Sequence, residues 1–236
     1  MADIDHRLIL RDSGLFPEDA VIEKQGQFDY HLNDTKASIS EPWLQYTTST
    51  HTGTLSARII EDAELIIYSD CRQRQDNGHL QIIIDWQYCQ HSQFLARYYI
   101  RDNKLHWQVN RHHGQQPIND RQCFFPLMRV FMGSAVHALA NGLCNELIVP
   151  DIRTLDDSDT VLRPYNSQRS ASLIENEAIL ELANQSLTVE VFQYQSDIYQ
   201  ANAPARCFID NDGLLRRYTW QQSPERNWRV DNQVFD

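Results

Sequence analysis

Between Trp43 and Asn110 the hydrophobic positions fall in short runs rich in β-branched and aromatic residues: "WLQYTTSTHTGTLSARIIE", "AELIIYSDCRQ", "HLQIIIDWQYC" and "QFLARYYIRDNKLHWQVN". Turn formers such as Asp76-Asn77-Gly78 separate them. The pattern resumes with "NELIVPDIRTL", "AILELANQSLTVEVFQYQ", "PARCFIDNDGLLRRYTWQQ" and a last short run near "NWRVDN". In "SLTVEVFQY", Leu187, Val189 and Val191 alternate with polar residues, as in a strand with one wet face. Strands at this spacing, with so little helix between them, predict an antiparallel meander and not βαβ units.

One stretch breaks the rhythm. "FFPLMRVFMGSAVHALANG" has helical periodicity and predicts a helix over about 125–141, with Pro126 in its first turn and Asn141-Gly142 as its stop. Arg129, Gly133, Ser134, His137 and Asn141 share one sector, and the large apolar residues fill the other. Such a helix must bury its apolar half. It either plugs the concave face of the sheet, with Met128 and Met132 filling gaps, or roofs an apolar cavity suited to a lipid-like ligand.

The flanking halves, about 43–122 and 143–236, resemble each other. Ala96–Leu105 laid on Ala205–Leu214 gives an ungapped match with Ala, Arg, Ile and Leu identical. Each copy reads as strand, Asp/Asn turn and second strand reaching a tryptophan, Trp107 or Trp220. Either hairpins simply draw on the same residues, or the chain is a duplicated half-roll joined by the helix. The expected fold is mainly β, one antiparallel β-roll domain over 43–236 with one central α-helix. The polar first 42 residues read as an irregular leader with a short strand or turn.

Composition narrows the partners. With 236 residues and 42% hydrophobic content, a sizeable core is assured. A formal charge of -11 argues against nucleic acid and anionic membrane surfaces. The cations are 18 Arg against three Lys, which favours fixed bidentate contacts where it is not mere compositional bias. Five cysteines without a CxxC pair suit reduced thiols. No secretory signal and no apolar run long enough to span a bilayer are visible, so no integral membrane segment is expected and a cytoplasmic location is.

Candidate chemistry is sparse. Adjacent His112 and His113 lack a third ligand, and "FIDNDGLL" is a hairpin turn with only part of a calcium loop, so neither a metal nor a cofactor is expected. No nucleophile elbow, phosphate loop or dinucleotide fingerprint occurs, and no catalytic residue is assigned. The candidate ligand-binding residues are Asp151, Arg153, Arg163, Tyr165 and Arg169, which would grip an anionic head group or else form ordinary ion pairs. Arg129 and His137 join them from the helix. Arg97 and Arg206, at equivalent places in the two repeats, read as paired structural residues or as head-group ligands.

With its β-rich halves around a central segment and its closing "ARCFIDNDGLLRRYTW", the chain resembles a bacterial family named for glycolipid binding, over about 43–230 in layout. That family's own function is uncharacterised. The resemblance implies a spiral β-roll comparable with lipoprotein-carrier half-barrels, and a glycolipid or other lipid as ligand. Three functions stay open: binding of an amphiphile such as a glycolipid or fatty acyl molecule, a non-catalytic interaction scaffold with a solid core and a homodimer interface, and an enzyme using His137 or Asp151.

Overall fold

The computed structural model describes residues 6–89, 91–152, 157, 159–182, 185–196 and 204–235. The first half of the chain is a meander: β1 (Val21–Leu32), β2 (Thr35–Thr47), β3 (His51–Ile60), β4 (Leu65–Arg74), β5 (Leu80–Tyr88), β6 (His91–Arg101), β7 (Lys104–Val109) and β8 (His112–Pro117). The second half carries β9 (Gln122–Phe124), the helix α2 (Met132–Ala140), then β10 (Glu146–Pro150), β11 (Pro164–Leu182), β12 (Gln185–Ser196), β13 (Ala205–Asp210), β14 (Leu215–Ser223) and β15 (Arg226–Phe235). A shorter helix, α1 (His6–Arg11), precedes them. The protein is mainly β, as expected.

Among the described residues all fifteen strands form one sheet, running from β8 back to β1, across to β15 and back to β9. Neighbours are antiparallel except β9, which lies parallel to β10. The halves are joined at β1 and β15, aligned from Gln25 opposite Phe235 to Leu32 opposite Trp228. The sheet curls until its ends approach. Tyr98 of β6 donates its hydroxyl to the Leu162 carbonyl at 2.5 Å, and the Arg163 guanidinium lies 5.6 Å over the Trp107 ring of β7. Ile82 and Ile84 of β5, Tyr98, Leu147 of β10, Cys207 of β13 and Val230 of β15 pack together on the concave side. No helix among the described residues is long and apolar enough to cross a membrane.

The leader is not irregular. Val21–Leu32 is the strand that joins the halves, and β2 begins at Thr35. Its apolar signal is thin because Gly26 stands where a side chain would: a methyl group there would meet the Gln233 carbonyl at 2.4 Å and the Trp43 indole at 2.7 Å. Leu10 of α1 is buried against Leu44, Tyr46, Leu55, Ala57 and Tyr68 on the convex face. Phe16 meets Tyr46 edge-on at 5.7 Å, and Arg72 donates to the Leu15 carbonyl at 2.7 Å. Strands β2–β4 are thus covered on both faces.

The central helix is shorter than 125–141. Gln122–Phe124 pairs with β10, the Phe125 amide still donates to the Ile148 carbonyl at 2.9 Å, and helical turns begin only at Arg129–Phe131. Leu127 at φ 68° and extended Met128 interrupt the path after Pro126. The polar sector does not face solvent as a strip. Gly133 is buried against the β13–β14 turn, where a methyl group would lie 2.1 Å from the Gly213 carbonyl oxygen, while the neighbouring Ser134 is exposed.

The two matched segments are both hairpins with the same inward pattern: Ala96 and Ala205, Tyr98 and Cys207, Leu105 and Leu214 are all buried. Their turns differ. Asp102-Asn103 joins β6 to β7 with both residues at positive φ, whereas the β13–β14 connection runs through Gly213 at φ 76°.

Gly133→Ala should drive a methyl group into that carbonyl and cost about 1–3 kcal/mol. Ser134→Ala should stay within about 0.5 kcal/mol of the parent. Urea midpoints of the two variants against the parent check this pair.

Candidate functional site

A cavity of about 650 Å³ lies between the concave sheet and the Phe125–Met132 segment that leads into α2. Period-two alternation supplies its walls. On β1 Phe28 and Tyr30 point inward, and on β2 Ile39, Glu41 and Trp43 share that face, with Phe28 directly opposite Glu41. On β3 the apolar Leu55 and Ala57 go to the convex cluster, which turns Arg58 inward. Tyr218 and Trp220 of β14 and Trp228 of β15 line the far wall, Trp220 paired opposite Trp228.

Glu41 has no solvent exposure and both its oxygens are occupied. Oε1 accepts the Tyr30 hydroxyl and, at 2.6 Å, Arg58 Nε. Oε2 accepts the backbone amide of Arg129 at 2.8 Å. Arg58 reaches on with Nη2 to the Leu127 carbonyl at 3.2 Å, and Ser69 donates to the Pro126 carbonyl at 3.2 Å. One carboxylate and its partners therefore anchor the turn before α2. Left-handed Leu127, costly for a non-glycine residue, is held in place by this network.

The anchored turn aims the Arg129 side chain across the cavity. Its guanidinium lies 4.6 Å over the Tyr218 ring and 5.4 Å from the Trp220 ring, with Nε donating to the Tyr30 hydroxyl at 3.3 Å. The aromatic rings run on continuously. Tyr194 meets Tyr218 edge-on at 6.4 Å, Tyr218 stacks on Trp220 at 5.0 Å, and Trp220 stacks on Trp228 at 5.5 Å with the planes only 6° apart. Arg169 of β11 donates to Tyr194 at 2.7 Å and to Ser167 at 2.8 Å, its guanidinium 5.4 Å over the Phe125 ring. Burial pushes the Tyr30, Tyr194 and Tyr218 phenols above their ordinary range, so they remain neutral hydrogen-bonding groups. Burial works against the Arg129 charge, but the Glu41 carboxylate and the hydrogen bond to Tyr30 favour it, so Arg129 stays a cation.

Of the residues singled out in the sequence, Arg129 and Arg169 line this cavity. The others are dispersed. Arg97 is aligned with Ile83 on the face opposite Ala96 and Tyr98, and Arg206 is exposed between Gln193 and Thr219, opposite in sense to Ala205 and Cys207. His137 sits on the far side of α2, with Nε2 3.2 Å from Glu190 and its ring 5.1 Å from Phe192. Asp151 exchanges backbone hydrogen bonds with Leu162 and Arg163, so His137 and Asp151 are held by separate partners. Arg163 covers Trp107, and Tyr165 borders a second hollow with Gln116 and Asn119. Arg153 lies outside the described residues.

Sequence reasoning passed over Tyr30, Glu41, Arg58, Tyr194, Tyr218 and Trp228. A signal existed: Glu41 two positions before Trp43, and Arg58 two before Ile60, place charges at inward positions of otherwise apolar strands. Reading them needed the knowledge that β2 and β3 are covered on both faces.

No family model matches the chain, and no curated protein matches it. Among solved structures it is similar to the beta-barrel-like protein of the domain of unknown function DUF1849 from Brucella abortus, at 9% identity and a TM-score of 0.50. The similarity spans 92% of this chain and 99% of that one. The likeness is one of fold. A mainly β architecture agrees with the expected fold class, but neither the spiral form of the roll nor glycolipid binding gains support from this likeness.

Glu41→Ala should cost about 3–5 kcal/mol, because it strands the partly buried Arg58 cation and frees the Arg129 amide. Denaturant unfolding monitored by circular dichroism would measure the loss. Stability should also fall at alkaline pH. Below 10.0, the ordinary tyrosine value, both folded and unfolded states keep the phenol protons and the contribution is whole. Above it the unfolded tyrosines ionise first, so stability declines as pH rises toward the raised folded values. Urea midpoints followed alongside tyrosinate absorbance would trace this decline.

Proposed function

We propose that the protein binds one small amphiphilic molecule, a fatty acyl compound or a glycolipid, in the cavity between sheet and helix, without acting on it chemically. The observation that carries this reading is the cavity itself. Its volume of about 650 Å³ falls within the ordinary scale of small-molecule sites. Ile39, Ile60, Leu127 and Ile152 offer an apolar lining, while the parallel, stacked Trp220 and Trp228 rings offer a flat aromatic surface beside the polar end at Arg129. Rings so placed receive either a hydrocarbon body or the apolar face of a sugar. The cytoplasm suits five free thiols, of which burial pushes Cys71 and Cys144 up to about 12, leaving them protonated and inert.

The alternative, an interaction scaffold, draws on the exposed Leu173, Ile174 and Ile179 of β11. It requires a partner or a second copy on that strand, detectable as a dimer by light scattering.

Native mass spectrometry of the protein purified from its own cells tests the binding reading. A bound species that is released by organic solvent is the expected result. Ile39→Trp, which fills the cavity with an indole, should lose that species while the folded mass stays monodisperse. Persistent absence of any bound amphiphile, with added acyl and glycolipid ligands also failing to bind, would remove the proposal.

A further inference from the structure

We infer that the ligand of this cavity is an anion, a carboxylate- or phosphate-headed amphiphile, whose head group is gripped by Arg129 and Arg169. The inference rests on the binding reading above and gives the ligand its charge. Among the described residues three guanidinium groups line the cavity, those of Arg58, Arg129 and Arg169. One of them is neutralised: Glu41 pairs with Arg58, and its other oxygen is spent on the backbone amide of Arg129. Among the described residues the side chains of Arg129 and Arg169 form no ion pair; their partners are Tyr30 and the Met132 sulfur for the first, Ser167 and Tyr194 for the second.

The two cations belong to one wall. Arg129 lies over Tyr218, Arg169 bonds the hydroxyl of Tyr194, and these tyrosines meet edge to face at 6.4 Å. Each guanidinium keeps its Nη2 edge without a protein partner among the described residues, while Nε and Nη1 are engaged and fix the plane. Partly desolvated cations without a counter-ion are costly, and a bound anion offsets that cost. Planar guanidinium edges match the oxygens of a carboxylate or phosphate. The chain is otherwise strongly acidic, at -11, so three guanidinium groups beside a single carboxylate at this cavity, among the described residues, are not a reflection of general composition.

The test compares ligands that share a chain and differ in head group: dodecanoate, dodecyl phosphate, dodecanol, methyl dodecanoate and dodecylamine, by isothermal titration calorimetry on the full chain. At least one anion should bind about tenfold or more tightly than the alcohol and ester, and the amine should bind weakest. The tighter of the two anions identifies the head group. Arg169→Gln should weaken the anion about tenfold and leave dodecanol within about twofold, and Arg169→Lys should recover part of the loss. Arg129→Gln should do the same; should it unfold because Arg129 also packs on Tyr218, Arg169→Gln decides alone. Equal binding of the anions and the alcohol, insensitive to Arg169→Gln, overturns the anion inference while leaving amphiphile binding intact. Failure of every ligand to bind overturns both.

Discussion

The carboxylate of Glu41 is the constraint on which the rest of the interior depends. A charge with no solvent exposure must be paired and hydrogen-bonded, and here the partners come from three separate parts of the chain: Tyr30 of β1, Arg58 of β3 and the Arg129 amide before α2. Each bond draws its owner toward one point. The connection from β9 to α2 cannot collapse onto the sheet, because Glu41 and Arg58 hold Leu127 and Arg129 at a set height. The cavity is the space left beneath and beside that support. A hydrophobic substitute for the ion pair would pack as well but would let the turn settle.

Around that point the sheet is organised in two ways. Strands β2–β4 are enclosed by the leader on one side and by the concave core on the other, which explains how they carry charged inward residues without losing burial. The second half turns its aromatic residues inward in a continuous series from Tyr194 to Trp228. Rigid, flat side chains of this kind keep a cavity open where aliphatic side chains would interdigitate. Helix α2 is fixed independently, by the close fit of Gly133 on Gly213.

Much of the architecture was legible from residue pattern, and the limits have physical causes. Alternation in "HLQIIIDW" and "LTVEVFQY" marks strands directly, since every second side chain reports one environment. The same logic failed at "VIEKQGQFDYHL", where Gly26 replaces an inward side chain and the strand loses half its signal. The helical period from Phe124 was real only from Met132, because Phe124 and Phe125 meet the apolar demand of a strand as well as that of a helix. For the site, proximity along the chain misled. Arg163, Tyr165 and Arg169 are close in sequence, yet β11 and the turn before it carry them to a tryptophan, an edge hollow and the cavity respectively. Arg129 and Arg169 converge only through the folded sheet. Tyr30 and Glu41 meet Arg129 across most of half the chain, a closeness that no local spacing encodes.

The pairing of Val21–Leu32 with Arg226–Phe235 has a bearing on how the molecule is made. A ribosome delivers β1 before and β15 after all the other strands of the sheet, so among the strand pairings the seam between the halves is the last available. Until then each meander shows an unpaired backbone edge, one on β1 and one on the growing second half, and an open edge of this kind invites strands from other chains. Contacts of such long sequence separation also place the fold among those that form slowly. The interval between the two strands leaving the ribosome is therefore one in which both edges stand open to such pairing.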